Sequence, residues 1–185
     1  MHIDHIAFLV RSIEAASKRF FHSCTLHEIE EQPAEGTLER YMTFGEGNFP
    51  SVLLMQAIAD GPYMRAMKKR GPGVHHLGCV CSNIEDVVLS DNRGSLFLHP
   101  ISIRTIPHGT VWLCRPGLPF LIELNQRPIQ TNMPGEKARL MLPERFPVPP
   151  YAGREFENVI VENTGEKLFH IQIHGIGVTL DPDVV

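Results

Sequence analysis

The chain has 185 residues, 43% of them apolar and 21% charged, with both signs mixed and a formal net charge of −4. That is the profile of a soluble globular protein too acidic to offer a broad phosphate-neutralising surface, which argues against nucleic acid as its main partner. No stretch is long enough to span a membrane, the early apolar run at residues 6–10 is too short for a signal-peptide core, and Cys24, Cys79, Cys81 and Cys114 read as reduced core thiols, so a cytoplasmic location is expected.

Residues 5–10 form a short run rich in branched and aromatic side chains, which predicts a buried strand. Ser12 is placed to cap a helix over residues 13–21, with Ile13, Ala16, Phe20 and Phe21 on one face. Three strands are predicted next, around residues 26–31, 40–44 and 52–55, separated by the turns Pro33-Ala34-Glu35-Gly36 and Gly45-Glu46-Gly47-Asn48. Residues 63–70, bounded by Gly61-Pro62 and Gly71-Pro72-Gly73, read as a basic linker helix. The same β-α-β-β-β order then returns: a strand at 76–81, a short helix from Asn83, and strands near 96–103, 110–114 and 120–124. From Arg127 onward the pattern stops. Residues 143–150 are Pro-rich and expected to be extended, and 159–161 and 167–173 look like further strands that would cover a sheet edge or close over a cleft.

The return is visible residue by residue. Asp4-His5-Ile6-Ala7-Phe8-Leu9-Val10-Arg11-Ser12-Ile13-Glu14 recurs as His75-His76-Leu77-Gly78-Cys79-Val80-Cys81-Ser82-Asn83-Ile84-Glu85, 71 residues on. Such self-similarity means two copies of one module. The chain therefore divides into a first βαβββ module at 1–60, a linker helix at 61–73, a second module at 74–128 and a C-terminal extension at 129–185.

A strand alternates faces, so His5 shares a face with Ala7 and Leu9, His76 with Gly78 and Val80, and Glu123 with Asn125. A carboxylate in the middle of an apolar strand costs free energy unless it is paired or bound to a cation. Two histidines and one carboxylate are donors for a divalent metal with open positions. Taken singly, either His could be a hydrogen-bonded interior residue, and Glu123 could pair with Arg127 or Arg115. Two histidines at equivalent places in a repeat, joined by Glu123, favour metal binding.

Asp4-His5-Ile6-Ala7, Gly73-Val74-His75-His76-Leu77-Gly78 and Leu121-Ile122-Glu123-Leu124 resemble the vicinal oxygen chelate superfamily of glyoxalases, bleomycin resistance proteins and ring-cleaving dioxygenases. Gly36-Thr37-Leu38-Glu39, His108-Gly109 and Val111-Trp112-Leu113-Cys114-Arg115-Pro116 are similar to segments of its methylmalonyl-CoA epimerases. The resemblance covers roughly the first two-thirds of the chain. It implies an α+β fold in which two tandem βαβββ modules form a curved mixed sheet around a metal cleft, with the extension adding strands.

By position, the resemblance makes His5, His76 and Glu123 metal ligands for Co, Ni, Zn, Mn or Fe, and Glu39 and Glu123 the bases of a proton transfer. Members usually supply a fourth ligand from the last strand of the first module. Here Leu53 stands at that place, and Gln56 is the nearest candidate oxygen. The implied activity is that of a metal-dependent isomerase or lyase, epimerase-like, on a small molecule such as an acyl-CoA or related 1,3-dicarbonyl compound. An Fe(II)-dependent dioxygenase and a non-catalytic binding module are the alternatives. Lys68, Lys69 and Arg70 are a solvated helix face or a contact for coenzyme A phosphates, and His170, Gln172 and His174 alternate on one strand face. A homodimer is compatible with paired modules, which could pair within one chain or between two.

Overall fold

A computed structural model describes residues 1–20, 24–45, 50–89, 95–128, 137–146, 148–149, 156–173 and 175–181. Phe21, the Glu46-Gly47-Asn48 part of the predicted turn and His174 lie outside the described residues. The first module runs β1 (His2–Leu9), α1 (Ile13–Phe20), β2 (Thr25–Leu26), β3 (Glu30–Gln32), β4 (Thr37–Thr43) and β5 (Ser51–Ala57). The single strand expected at 26–31 is two short pieces, both antiparallel to β4. The linker is α2 (Pro62–Arg70), with a proline in its first turn and Lys68, Lys69 and Arg70 in its last, where cations suit the helix dipole.

The second module has β6 (Gly73–Cys81), α3 (Ile84–Leu89), β7 (Phe97–Leu98), α4 (Ser102–Thr105), a 3-10 turn at Ile106–His108, β8 (Thr110–Cys114) and β9 (Leu121–Gln126). The strand predicted at 96–103 is thus reduced to Phe97–Leu98. Pro100 cannot donate to a ladder, and the Ser102 hydroxyl both donates to Trp112 O at 2.7 Å and accepts from Trp112 N at 2.9 Å, which anchors a helical turn where the strand would have continued.

One nine-stranded sheet carries both modules in the order β2-β4-β5-β1-β6-β9-β8-β7, with β3 also on β4. At its centre β1 pairs antiparallel with β6 of the same chain, so the modules join edge to edge. β5 lies parallel to β1 and β9 parallel to β6, each flanked by an antiparallel neighbour. The arrangement is the expected α+β fold, a mixed sheet built from two similar halves, with added C-terminal strands.

Those strands form a second sheet in the order β11-β10-β12-β13, from β10 (Ala138–Leu142), β11 (Val159–Asn163), β12 (Phe169–Ile173) and β13 (Ile176–Leu180). Leu140, Phe169, Ile171 and Val178 pack in one core with Ile3, Ile6 and Phe8, the β1 side chains turned away from His5. The Phe8 and Phe169 rings meet edge to face at 5.7 Å. Buried Asn158 ties the extension to β1 by accepting from Ile3 N at 2.8 Å and donating to Ile3 O at 2.7 Å. The described part of the extension therefore backs the main sheet and does not close over the histidines. Pro143 to Phe146 make a turn, Phe146 N donating to Pro143 O at 2.9 Å, where an extended segment was expected. On the opposite face Ala7, Leu9, Leu53, Met55 and Tyr63 of α2 form a smaller apolar cluster. No described helix is long and apolar enough to cross a membrane, and the four cysteines are free.

Candidate metal centre

The β1–β6 register sets His5 opposite Gly78 and Ala7 opposite His76, so each imidazole lies across from a small residue on the other strand. At Gly78 this is obligatory: a Cβ there would fall 2.0 Å from His5 Cε1. β9 then brings Glu123 alongside Gly78 in the parallel ladder. The result is a convergence of three donors. His5 Nε2 and His76 Nε2 are 3.1 Å apart, and Glu123 Oε2 lies 3.3 Å from the second and 3.7 Å from the first. Atoms held about 2.1 Å from one ion at a wide angle are separated by roughly 3–3.5 Å, so the trio fits a single divalent metal. Among the described residues it is the one such group.

The protonation states also suit a cation. Burial, with neighbouring His5, keeps the His76 ring below the usual histidine range despite the pull of Glu123, so it is neutral with a lone pair to give. For Glu123 burial pushes the carboxyl up, but the His76 and His5 rings beside it and an Asn125 hydrogen bond outweigh burial and hold its proton affinity below the usual carboxylate range.

These donors sit in a cleft of about 390 Å³. Glu39 of β4 lines it, accepting from Thr37 Oγ1 at 3.1 Å. Its carboxyl is shifted the other way: burial, and then the charges of Glu35 and Glu123, raise its proton affinity against the Thr37 hydrogen bond and His5. Leu53 also lines the cleft, 3% exposed. The ladders make it the counterpart of Glu123, since Ala7 pairs with Leu53 as Gly78 pairs with Glu123. Gln56 is elsewhere: its Oε1 accepts from Ile13 N at 3.0 Å and caps α1 beside the Ser12 hydroxyl, which accepts from Ala15 N at 3.2 Å. It is not the missing fourth donor.

Several residues in and behind the cleft were not singled out by sequence reasoning. Asp4 Oδ2 lies 3.0 Å from His5 Nδ1, and its other oxygen pairs with Arg127, which therefore does not serve Glu123. His75 Nδ1 lies 3.0 Å from His76 Nδ1, with the Tyr63 ring over it at 4.8 Å and Tyr63 Oη donating to Glu35 at 2.7 Å. Burial, then His76 and Arg70, depress the His75 proton affinity strongly. Tyr41 and Trp112 set ring edges against His5 and His76 at 5.8 and 5.0 Å. The one signal available was the repeat itself, in which Asp4 and His75 are equivalent.

The peripheral candidates resolve plainly. Lys68 meets Asp60 at 3.5 Å in solvent, and Arg70 donates to Pro119 O at 3.1 Å. His170 is engaged by Glu166 at 2.7 Å and Thr179 at 2.9 Å, and Gln172 is exposed.

Residues 4–94 match the profile of the Glyoxalase/Bleomycin resistance protein/Dioxygenase superfamily. Among solved structures, a methylmalonyl-CoA epimerase is similar over 70% of this chain and 97% of its own, with a TM-score of 0.53 and 22% identity. A hypothetical protein from Bacillus halodurans is similar over 71% and 97%, at 0.52 and 21%. A substituted Streptomyces coelicolor methylmalonyl-CoA epimerase in complex with 2-nitronate-propionyl-CoA is similar over 68% and 97%, at 0.51 and 14%. At these identities the likeness is one of fold. No protein with a curated description matches the sequence.

Proposed function

We propose that this protein is a metal-dependent isomerase or lyase that moves a proton beside a carbonyl, with an acyl-CoA or related 1,3-dicarbonyl compound as substrate. The observation that carries the reading is the pair of carboxylates facing one cleft with His5 and His76, Glu123 held ionised among the histidines and Glu39 held ready to take a proton. His5, His76 and Glu123 are the ligands, and a bound divalent ion supplies positive charge where the substrate's two oxygens gather negative charge. Glu39 then acts as the base on one side of the carbon acid, its raised proton affinity bringing it closer to the working pH. Glu123 faces the carbon from the other side, and exchange between the two would invert the centre. Leu53 and Met55 give the cleft an apolar stretch of wall. The setting is the cytoplasm, where the four cysteines stay reduced.

The test is proton exchange. Metal-loaded protein incubated with methylmalonyl-CoA in D2O should wash deuterium into the carbon between the two carbonyls, as read by NMR. Glu39→Gln should abolish interconversion of the two epimers and keep the metal, whereas Glu123→Gln should lose both. The reading fails if loaded wild type leaves that carbon and those of other 1,3-dicarbonyl thioesters untouched. Leu53 favours a second reading, because a two-His-one-carboxylate site without a fourth ligand also suits an Fe(II) dioxygenase. Oxygen uptake with iron and a catechol would choose it. Neither exchange nor uptake would leave a small-molecule binding module.

A further inference from the structure

The ladder between β1 and β6 is interrupted twice, and each interruption falls on the residue before a candidate ligand. Ile3 pairs with Cys79 and His5 with Gly78, which leaves Asp4 as an extra residue on β1. Ala7 pairs with His76 and Phe8 with Val74, which leaves His75 as an extra residue on β6. An extra residue in one strand of an antiparallel pair is a β-bulge, a device that bends the strand and re-aims a side chain. Unbroken alternation would send Asp4 and His75 to the back of the sheet, away from the rings they precede. The bulges instead bring each to the Nδ1 edge of the next imidazole, at 3.0 Å in both cases.

We propose that Asp4 and His75 are paired positioning residues, each accepting the Nδ1–H of the following histidine, and that the two bulges serve to place them. The inference rests on the metal reading of His5 and His76. A histidine that coordinates through Nε2 carries its proton on Nδ1, and the group that accepts this proton fixes both ring angle and tautomer. The repeat supplies one such group to each ring, because Asp4-His5 and His75-His76 are the same step 71 residues apart.

The two acceptors differ in chemistry. Asp4 is a carboxylate shared with Arg127, and His75 is an imidazole under the Tyr63 ring. An imidazole accepts only as a neutral ring with a bare Nδ1, so His75 holds its own proton on Nε2. A carboxylate makes its partner ring the stronger donor. His5 is therefore the tighter ligand and His76 the looser one, within a site whose backbone is nearly two-fold symmetric.

The test compares wild type with His75→Phe, which fills the space without an acceptor, and His75→Asn, whose side-chain oxygen sits where Nδ1 was. Two readouts are taken: cobalt affinity through the emission of Trp112, the single tryptophan, 5.0 Å from His76, and nitrogen NMR of the histidine rings in metal-free protein. Wild type should show His76 protonated on Nδ1. The Phe variant should lose that signature and bind cobalt about 10–100-fold more weakly, and the Asn variant should recover both. Unchanged affinity and tautomer in the Phe variant would overturn the proposal, as would wild-type His76 protonated on Nε2. If wild type takes up no cobalt, the ligand reading falls while the metal-free spectra still decide the tautomer. Should His75→Phe fail to fold, Asp4→Ala on the cleft rim puts the same question to His5.

Discussion

The half of the sheet built on β1 and the half built on β6 share a backbone and differ in their donors. In the β6 half Gly78 stands beside Glu123 of β9, and at the matching rung of the β1 half Ala7 stands beside Leu53 of β5. At this rung one half therefore sets a carboxylate beside its histidine, and the other an aliphatic wall. The difference between the halves lies at one rung of each ladder, not in the architecture around it. The equivalent placement of the two histidines and the unequal third partner leave the cleft with three converging candidate donors.

Removing a donor from the richer half should have the largest effect. His76→Ala should abolish metal retention on purification, with an affinity loss larger than the roughly 10–100-fold that surrounding residues command. Elemental analysis against wild type reads it directly. Metal kept at one ion per chain in the variant would mean that the ion sits elsewhere.

Making the halves equal should have the next largest. Leu53→Glu places a carboxylate at the rung equivalent to that of Glu123, where Leu53 is 3% exposed. Without metal the buried polar group should cost about 2 kcal/mol. With saturating metal the loss should be recovered, since an ion bound only by the folded state stabilises it. Thermal melts of the variant with and without cobalt decide the matter. A variant equally unstable in both would show that Leu53 does not face the ion.

The repeat, the strand order and the His, His, Glu trio were legible because they depend on side-chain periods and on self-similarity, both of which survive in a sequence. What broke the period was not. The bulges at Asp4 and His75 each add a residue to a strand without any change in composition, and simple alternation from His5 and His76 would send both to the wrong face. α4 escaped notice because its anchor, the Ser102 hydroxyl on Trp112, is a contact between segments. β10 alternates buried and open positions from Ala138 to Leu142, a period legible in the sequence, but it lies beyond Arg127, where the repeat that organises the other strands has ended. Gln56 is the instructive case. Its amide was weighed as a ligand, and its true task is to cap a helix whose nearest end lies 43 residues earlier. Gln56→Ala should leave metal affinity unchanged and lower stability by about 1 kcal/mol, the usual loss for a helix cap, as measured by urea unfolding. A drop in metal affinity would restore Gln56 to the site.

The smallest effect concerns Glu39, which sets the halves against each other electrostatically. The carboxylate of the β6 half, Glu123, is held below the usual range, and that of the β1 half, Glu39, is held above it. A carboxyl whose folded pKa exceeds its unfolded one contributes stability that is fully present below the unfolded pKa, near 4.5. That contribution is lost as pH rises through the folded value. In metal-free protein, Glu39→Gln should therefore melt higher than wild type at pH 7, with the gap closing as pH falls toward 4. A gap independent of pH would place Glu39 in ordinary solvent and remove it as a base. If the gap behaves as expected, the cleft holds two carboxyls whose environments push their proton affinities apart, the arrangement by which one site keeps an ionised group and a proton acceptor side by side.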